Sequence, residues 1–170
     1  MSIKLYKKII VIITFCFVFD ISIAEDNLKS TGKFKDWESF VLSQEGNKIC
    51  FAQSIPVVRA PKKLKREPSR MIVSFRPAEN IKNEISVTNG YEFKLKAPVA
   101  AKSGKKSYDL FSKGRFAGVV DNKDEIKLIS TMKKASRLMI VGNSEKGEQT
   151  TDHYSIMGFT KAYNTAKKKL

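Results

Sequence analysis

Histidine and tryptophan each occur once in the 170 residues, and cysteine twice. These scarcities remove most site chemistry before any fold is considered. One His and two Cys cannot supply the four nitrogen or sulfur ligands of a structural zinc site, and a multi-disulfide framework is out of reach. His153 falls in a segment that reads as a strand. Asp152 beside it then points to the opposite face, so a Ser–His–Asp site built with Ser155 does not converge. Cys50 lacks the orienting His of a Cys–His enzyme and, between Ile49 and Phe51, reads as a small buried hydrophobe. The nine glycines are scattered, with no phosphate-cradling loop. Asp121, Asp124 and Glu125 form the tightest acidic cluster, at a place where a helix N-terminus favours acids. No catalytic residue, no metal site and no cofactor is expected.

Long hydrophobic runs are also missing. The longest, Ile9 to Phe19, has 11 residues, against ~20 for a membrane-spanning helix. Lys4, Lys7 and Lys8 precede it; Asp20 and a small-residue site at Ser22-Ile23-Ala24 follow. A basic start, a short apolar middle and small residues at −3 and −1 are the parts of a secretory signal. Residues 1–24 are therefore expected to be a signal peptide, cut after Ala24. Lipid attachment at Cys16 fits less well, because Phe15 stands where a small residue is wanted. Losing the leader removes Cys16, three Lys and one Asp, which leaves 146 residues with Cys50 alone and a net charge of +13. That length suits one domain, 25–170, with no transmembrane helix after cleavage. The expected location is the periplasm, or the outer surface or medium. An oxidising compartment tolerates a single thiol when it is buried or partnered.

What remains reads as short strands between turn signals. Lys35–Leu42 and Lys48–Gln53 are candidate strands around a turn at Glu45-Gly46-Asn47. In Arg70–Arg76, Met71, Val73 and Phe75 share a face. Ile85 and Val87 alternate with polar residues, and Asn89-Gly90 predicts a type I′ hairpin with Tyr91, Phe93 and Leu95 on the returning strand. Ser103-Gly104-Lys105 marks a turn, and Tyr108–Phe111 and Arg115–Val120 are two further strands. Asn122 can cap a helix, with Glu125 three residues on at capping-box spacing and Ile126, Ile129 and Met132 inward. Leu138–Val141, an unbroken apolar run, reads as a buried strand, followed by a strand over Thr150–Ile156. A short helix starts at Gly158 with Phe159, Ala162 and Tyr163 inward, and a Lys-rich tail, 166–170, frays. Short sequential strands argue for a mainly β fold. The expected form is an antiparallel β-sandwich or barrel-like domain with one internal helix and a short C-terminal helix. Trp37, Tyr91, Tyr154 and Phe159 are assigned to its core rather than to a sugar pocket.

Charge of one sign dominates, with 32 Lys and Arg against 17 Asp and Glu. The densest stretch is the Pro-marked connection 56–70. There Arg59, Lys62, Lys63, Lys65, Arg66 and Arg70 stand within twelve residues against one acid, Glu67. Three prolines exclude an interior strand or helix, and like-charge repulsion predicts an exposed extended loop. Its partner is an anionic envelope component or an acidic protein surface. Nucleic acid fits the charge but not the compartment. Lys94, Lys96, Lys102, Lys105, Lys106, Lys113 and Arg115 either extend this patch or lie opposite it.

Several stretches, taken in order, resemble the invasion-associated locus B family. They are Asp36-Trp37, Lys48-Ile-Cys-Phe-Ala-Gln-Ser-Ile-Pro56, Phe75-Arg76-Pro77, Asn83-Glu84-Ile85-Ser86, Gly142-Asn-Ser-Glu-Lys-Gly147, Thr150-Thr-Asp-His-Tyr-Ser155 and Gly158-Phe159. The chain departs from that pattern at Lys146, Glu148, His153 and Phe116. The resemblance implies a secreted or periplasmic bacterial protein with a β-sandwich-like fold, and some relatives are linked to host-cell invasion. It carries over no catalytic or binding residue. The expected function is a non-enzymatic envelope-associated binding or accessory protein. The alternative is a chaperone-like or stress factor that binds unfolded clients; an enzyme working through His153 or Cys50 ranks third. The signal reading is checked by intact mass: protein recovered from the periplasm of an expressing cell should begin at Glu25, and Ala24→Tyr should leave the leader attached.

Overall fold

Residues 27–44 and 46–170 are described by the computed structural model; the expected leader, 1–24, and Glu45 lie outside them. Along the described residues the strands are β1 Asn27–Phe34, β2 Trp37–Gln44, β3 Asn47–Ser54, β4 Val58–Ala60, β5 Arg70–Arg76, β6 Ile81–Thr88, β7 Val99–Ser103, β8 Lys106–Lys113 and β9 Phe116–Gly118, then β10 Arg137–Asn143 and β11 Gln149–Ser155. Helix α1, Asn122–Met132, stands between β9 and β10, and α2, Phe159–Lys167, follows β11. The strands form one sheet in the order β1-β2-β3-β5-β6-β9-β8-β7-β10-β11-β4, with β1 and β4 as its two edges. Every named strand pair is antiparallel. The mainly β, two-helix expectation holds, and the sheet stays open rather than closing into a barrel.

Period-2 alternation decides which residues meet inside. Trp37, Cys50, Ala52, Met71, Val73 and Phe75 come from one end of the sheet, and Leu138, Ile140 and Tyr154 from the other; all join a single core. Helix α2 packs against β1, β2, β3 and β5. Its Phe159 ring meets Trp37 edge-on at 4.8 Å between centroids, and Tyr163 meets Phe75 at 5.2 Å. The Trp37 indole N–H donates to the Ser155 carbonyl at 2.9 Å, which ties β2 to the end of β11. Gly158 starts α2 with a φ of +96°, and a Cβ there would lie 1.7 Å from the Phe34 carbonyl oxygen, so no other residue fits.

Several expectations fail for identifiable reasons. The whole of β1 was invisible, because its residues are mostly exposed and polar and so carry no apolar alternation. The Pro-marked connection contains β4, which is admissible because an edge strand tolerates flanking proline. Asn89-Gly90 makes no hairpin. Gly90 alone has positive φ, a type I′ turn needs both, and β6 pairs instead with β5 and β9. Phe93 then makes only a single bridge, to Ser144, and Leu95 is exposed. Leu138–Val141 is not buried throughout: Leu138 and Ile140 face the core and Met139 and Val141 do not. Ala166, expected in the frayed tail, is in the core as part of α2.

Helix α1 begins one residue early. Asp121 is its cap, and its carboxylate accepts from the Lys123 and Asp124 amides at 2.7 and 3.2 Å. Ile126 faces solvent, while Leu128, Ile129 and Met132 are buried. Glu125 does not close a capping box. It is buried, and its Oε1 accepts from the Ile85 amide at 2.7 Å, which fixes the helix to β6. Burial pushes its carboxyl above the ordinary value of 4.5. The folded state therefore holds a proton that the unfolded chain has released, and stability declines as pH rises from 4.5 towards the raised folded value. Glu125→Gln keeps an acceptor for Ile85 and should flatten that decline; urea midpoints measured across the window should diverge in the variant's favour as pH rises.

Candidate functional site

Short strand β4 lies along β11, with Val58 opposite His153, Arg59 opposite Asp152 and Ala60 opposite Thr151. The chain then turns through Pro61-Lys62-Lys63-Leu64 and doubles back towards β5. Inward positions of β11 are Thr150, Asp152 and Tyr154, all buried. Alternation therefore puts a carboxylate among apolar neighbours, and an isolated buried charge is very costly. Arg66 supplies the counter-charge. Its side chain is 3% exposed and that of Asp152 0%. Nη1 donates to Asp152 Oδ2 at 2.8 Å, and Nη2 donates to Oδ1, a bidentate fork. Nη1 also reaches the Asn89 carbonyl at 2.8 Å and the Ser69 hydroxyl at 3.2 Å.

Neighbouring groups complete the anchorage. The Asn89 amide nitrogen donates to the Thr150 hydroxyl at 3.2 Å, and the Tyr91 and Thr150 hydroxyls lie 2.6 Å apart. The Glu67 amide donates to the Gly90 carbonyl at 3.0 Å. Gly90 has a φ of +79°, and a Cβ there would come within 1.9 Å of the Glu67 carbonyl oxygen, so the loop lies directly on its backbone. Arg59 Nη2 donates to the carbonyls of Arg66, at 3.4 Å, and Glu67.

The six expected loop cations are thus divided by the fold. Arg66 is withdrawn from the exposed set, since its guanidinium is spent on Asp152, and Arg59 is half-buried and bound to loop carbonyls. Like-charge repulsion predicts exposure only while no buried acid claims one of the charges, and Asp152 does. Lys62, Lys63, Lys65 and Arg70 remain exposed, with Arg70 Nη1 3.4 Å from the Gln53 side-chain oxygen. Arg115 joins the loop through Glu67 at 3.8 Å. Lys106 is turned to the Thr131 hydroxyl at 3.4 Å. A cleft of about 240 Å³ opens beside the anchored segment, lined by Leu64, Lys65, Tyr91, Glu92, Glu145 and Lys146 among others.

The remaining candidates stay apart. His153 is half-buried on the face of β11 opposite Asp152. Cys50 is a free, fully buried thiol, and burial pushes its pKa up, away from thiolate reactivity. Among the described residues, no three His, Cys, Asp or Glu side chains gather as a metal-binding group. None of the described helices is long and apolar enough to cross a membrane.

Comparison with known proteins adds a fold likeness. The chain is similar to the crystal structure of invasion associated protein B from Bartonella henselae, with a TM-score of 0.55 and 14% identity, covering 81% of this chain and 95% of that one. At that identity the likeness is one of fold. No protein-family model and no curated protein sequence matches the chain.

The anchoring acid, Asp152, was hidden in the sequence behind the solitary His153. The signal that finds it is phase: Asp152 alternates with Thr150 and Tyr154 on the buried side, and a buried acid requires a cation. Arg66→Met should cost ~3–5 kcal/mol in urea denaturation, because it leaves Asp152 charged and unpaired. Adding Asp152→Leu should restore most of that loss; a double variant as unstable as the single would show that the pair does not anchor the loop.

Proposed function

We propose that this chain is an exported, non-enzymatic accessory protein of the invasion-associated locus B type. Its basic loop contacts an anionic component of the cell envelope or an acidic protein surface. One observation carries the reading: Lys62, Lys63 and Lys65 project from a segment whose backbone is held from beneath by Arg66 and Arg59. A solvated connector has no need of a buried ion pair. A recognition loop benefits from one, because ordering it in advance reduces the entropy lost on binding. The fold likeness to an invasion-associated protein and the signal-like N-terminus support the exported location, periplasmic first.

The test is sedimentation of protein recovered from the exported fraction with lipopolysaccharide, anionic vesicles and peptidoglycan across a salt series. A variant with Lys62, Lys63 and Lys65 changed to Ser runs alongside, with Arg66 kept so that the loop stays folded. Binding should weaken with salt, as expected for surface charges, and should fall at least about tenfold in the variant. Equal binding by the variant would reduce the loop to a connector.

A further inference from the structure

Apolar side chains on the surface are not spread evenly. Ile55, Val57 and Met157 are 63%, 55% and 50% exposed, and all three sit around the β1–β2 turn at one corner of the sheet. Backbone contacts fix them there. The Asp36 amide donates to the Met157 carbonyl at 3.2 Å, the Ser54 hydroxyl donates to the Asp36 carbonyl at 2.6 Å, and the Val57 amide donates to the His153 carbonyl at 2.8 Å. Two clefts flank the turn and share Lys33 and Lys35 as their common wall. One, of about 360 Å³, contains Ile55, Pro56 and Val57; the other, of about 600 Å³, contains Met157 and Lys161. Acids are present too: Asp36 and Glu38 line the first cleft, and Glu38 accepts from the Ser30 hydroxyl at 2.6 Å. Lys33, Lys35 and Lys161 outnumber them at the rim.

Clustered exposed aliphatics beside Lys33, Lys35 and Lys161 are complementary to one kind of surface, which has anionic headgroups over a hydrocarbon layer. We propose that this corner docks on an anionic lipid bilayer. Ile55, Val57 and Met157 enter the boundary between headgroups and acyl chains. Lys33, Lys35 and Lys161 stay at headgroup level, with their aliphatic stems packed beside the inserted residues. The proposal rests on the anionic-surface reading above and names its partner. A purely electrostatic loop contact would leave the aliphatics in water and vanish at high salt; insertion leaves a salt-resistant component.

The experiment uses protein recovered from the exported fraction and vesicles of mixed phosphatidylglycerol and phosphatidylcholine, with phosphatidylcholine alone as control. Val57→Trp reports insertion, because the native Trp37 is fully buried and contributes a constant background; Ile126→Trp, at an exposed position of α1, serves as the comparison. On anionic vesicles the Val57→Trp emission should shift to the blue and be quenched by nitroxides on the acyl chains, and Ile126→Trp should show neither. Ile55→Ser with Val57→Ser should weaken binding at high salt at least about tenfold. Indistinguishable Trp reporters, or a Ser variant that binds like the parent, would overturn the insertion. If the Lys62, Lys63 and Lys65 variant still loses binding in that case, the loop reading stands without it. If the Lys variant binds like the parent while the Ser variant does not, the loop reading falls and the corner alone holds the bilayer.

Discussion

Two charges removed from water govern how the far edge of this fold is held. Asp152 faces inward because the alternation of β11 leaves it nowhere else to point. Once inward it needs a cation with more than one donor, since a carboxylate offers several lone pairs to satisfy. Arg66 meets that need with a planar fork and spends its remaining capacity on Asn89 and Ser69. A lysine would offer a point charge without the second parallel bond. The loop from β4 to β5 therefore follows the position of a strand residue more than eighty positions away, and the glycine at 90 clears the space that lets it lie flat.

That arrangement sorts a basic sequence into two populations. Some cations are structural: Arg66 beneath the loop, Arg59 on its carbonyls, and Arg76, whose pKa is raised chiefly by its hydrogen bond to Glu84. Others, Lys62, Lys63 and Lys65 foremost, have no such duty and stand in solvent. The net charge alone does not separate them. Burial does, because a charge is tolerated inside only where an opposite charge or hydrogen-bond acceptors await it. The surface that remains is more sharply defined than composition implies.

Much of the fold could be read before any coordinates. Met71, Val73 and Phe75 alternate as a half-buried strand must, and Phe159, Ala162 and Tyr163 recur as a helix facing a sheet must. Legibility failed where tertiary partners overrode local signals. Asn89-Gly90 is a strong hairpin dipeptide, yet Asn89 is bound to Thr150 and Arg66 and cannot adopt the turn. Strand β1 lacks a buried face, so it had no pattern to show. For the candidate site, the density of loop cations was visible. The pairing that takes Arg66 out of the exposed set was not, because nothing local links positions 66 and 152.

An open sheet has ends, and each end presents unpaired amides and carbonyls that another chain can copy. Strand β4 is only three residues long, with Pro56 and Pro61 beyond its ends and Lys62 and Lys63 just past Pro61, so a foreign strand finds little ladder to extend. Strand β1 is longer, but Lys29 and Lys33 charge it and a register shift between Ser30 and Gly32 interrupts its pairing geometry. Residues that look like ornament at the margins of the fold thus guard it against edge-to-edge aggregation, a protection that matters most where concentration is highest, against a crowded surface.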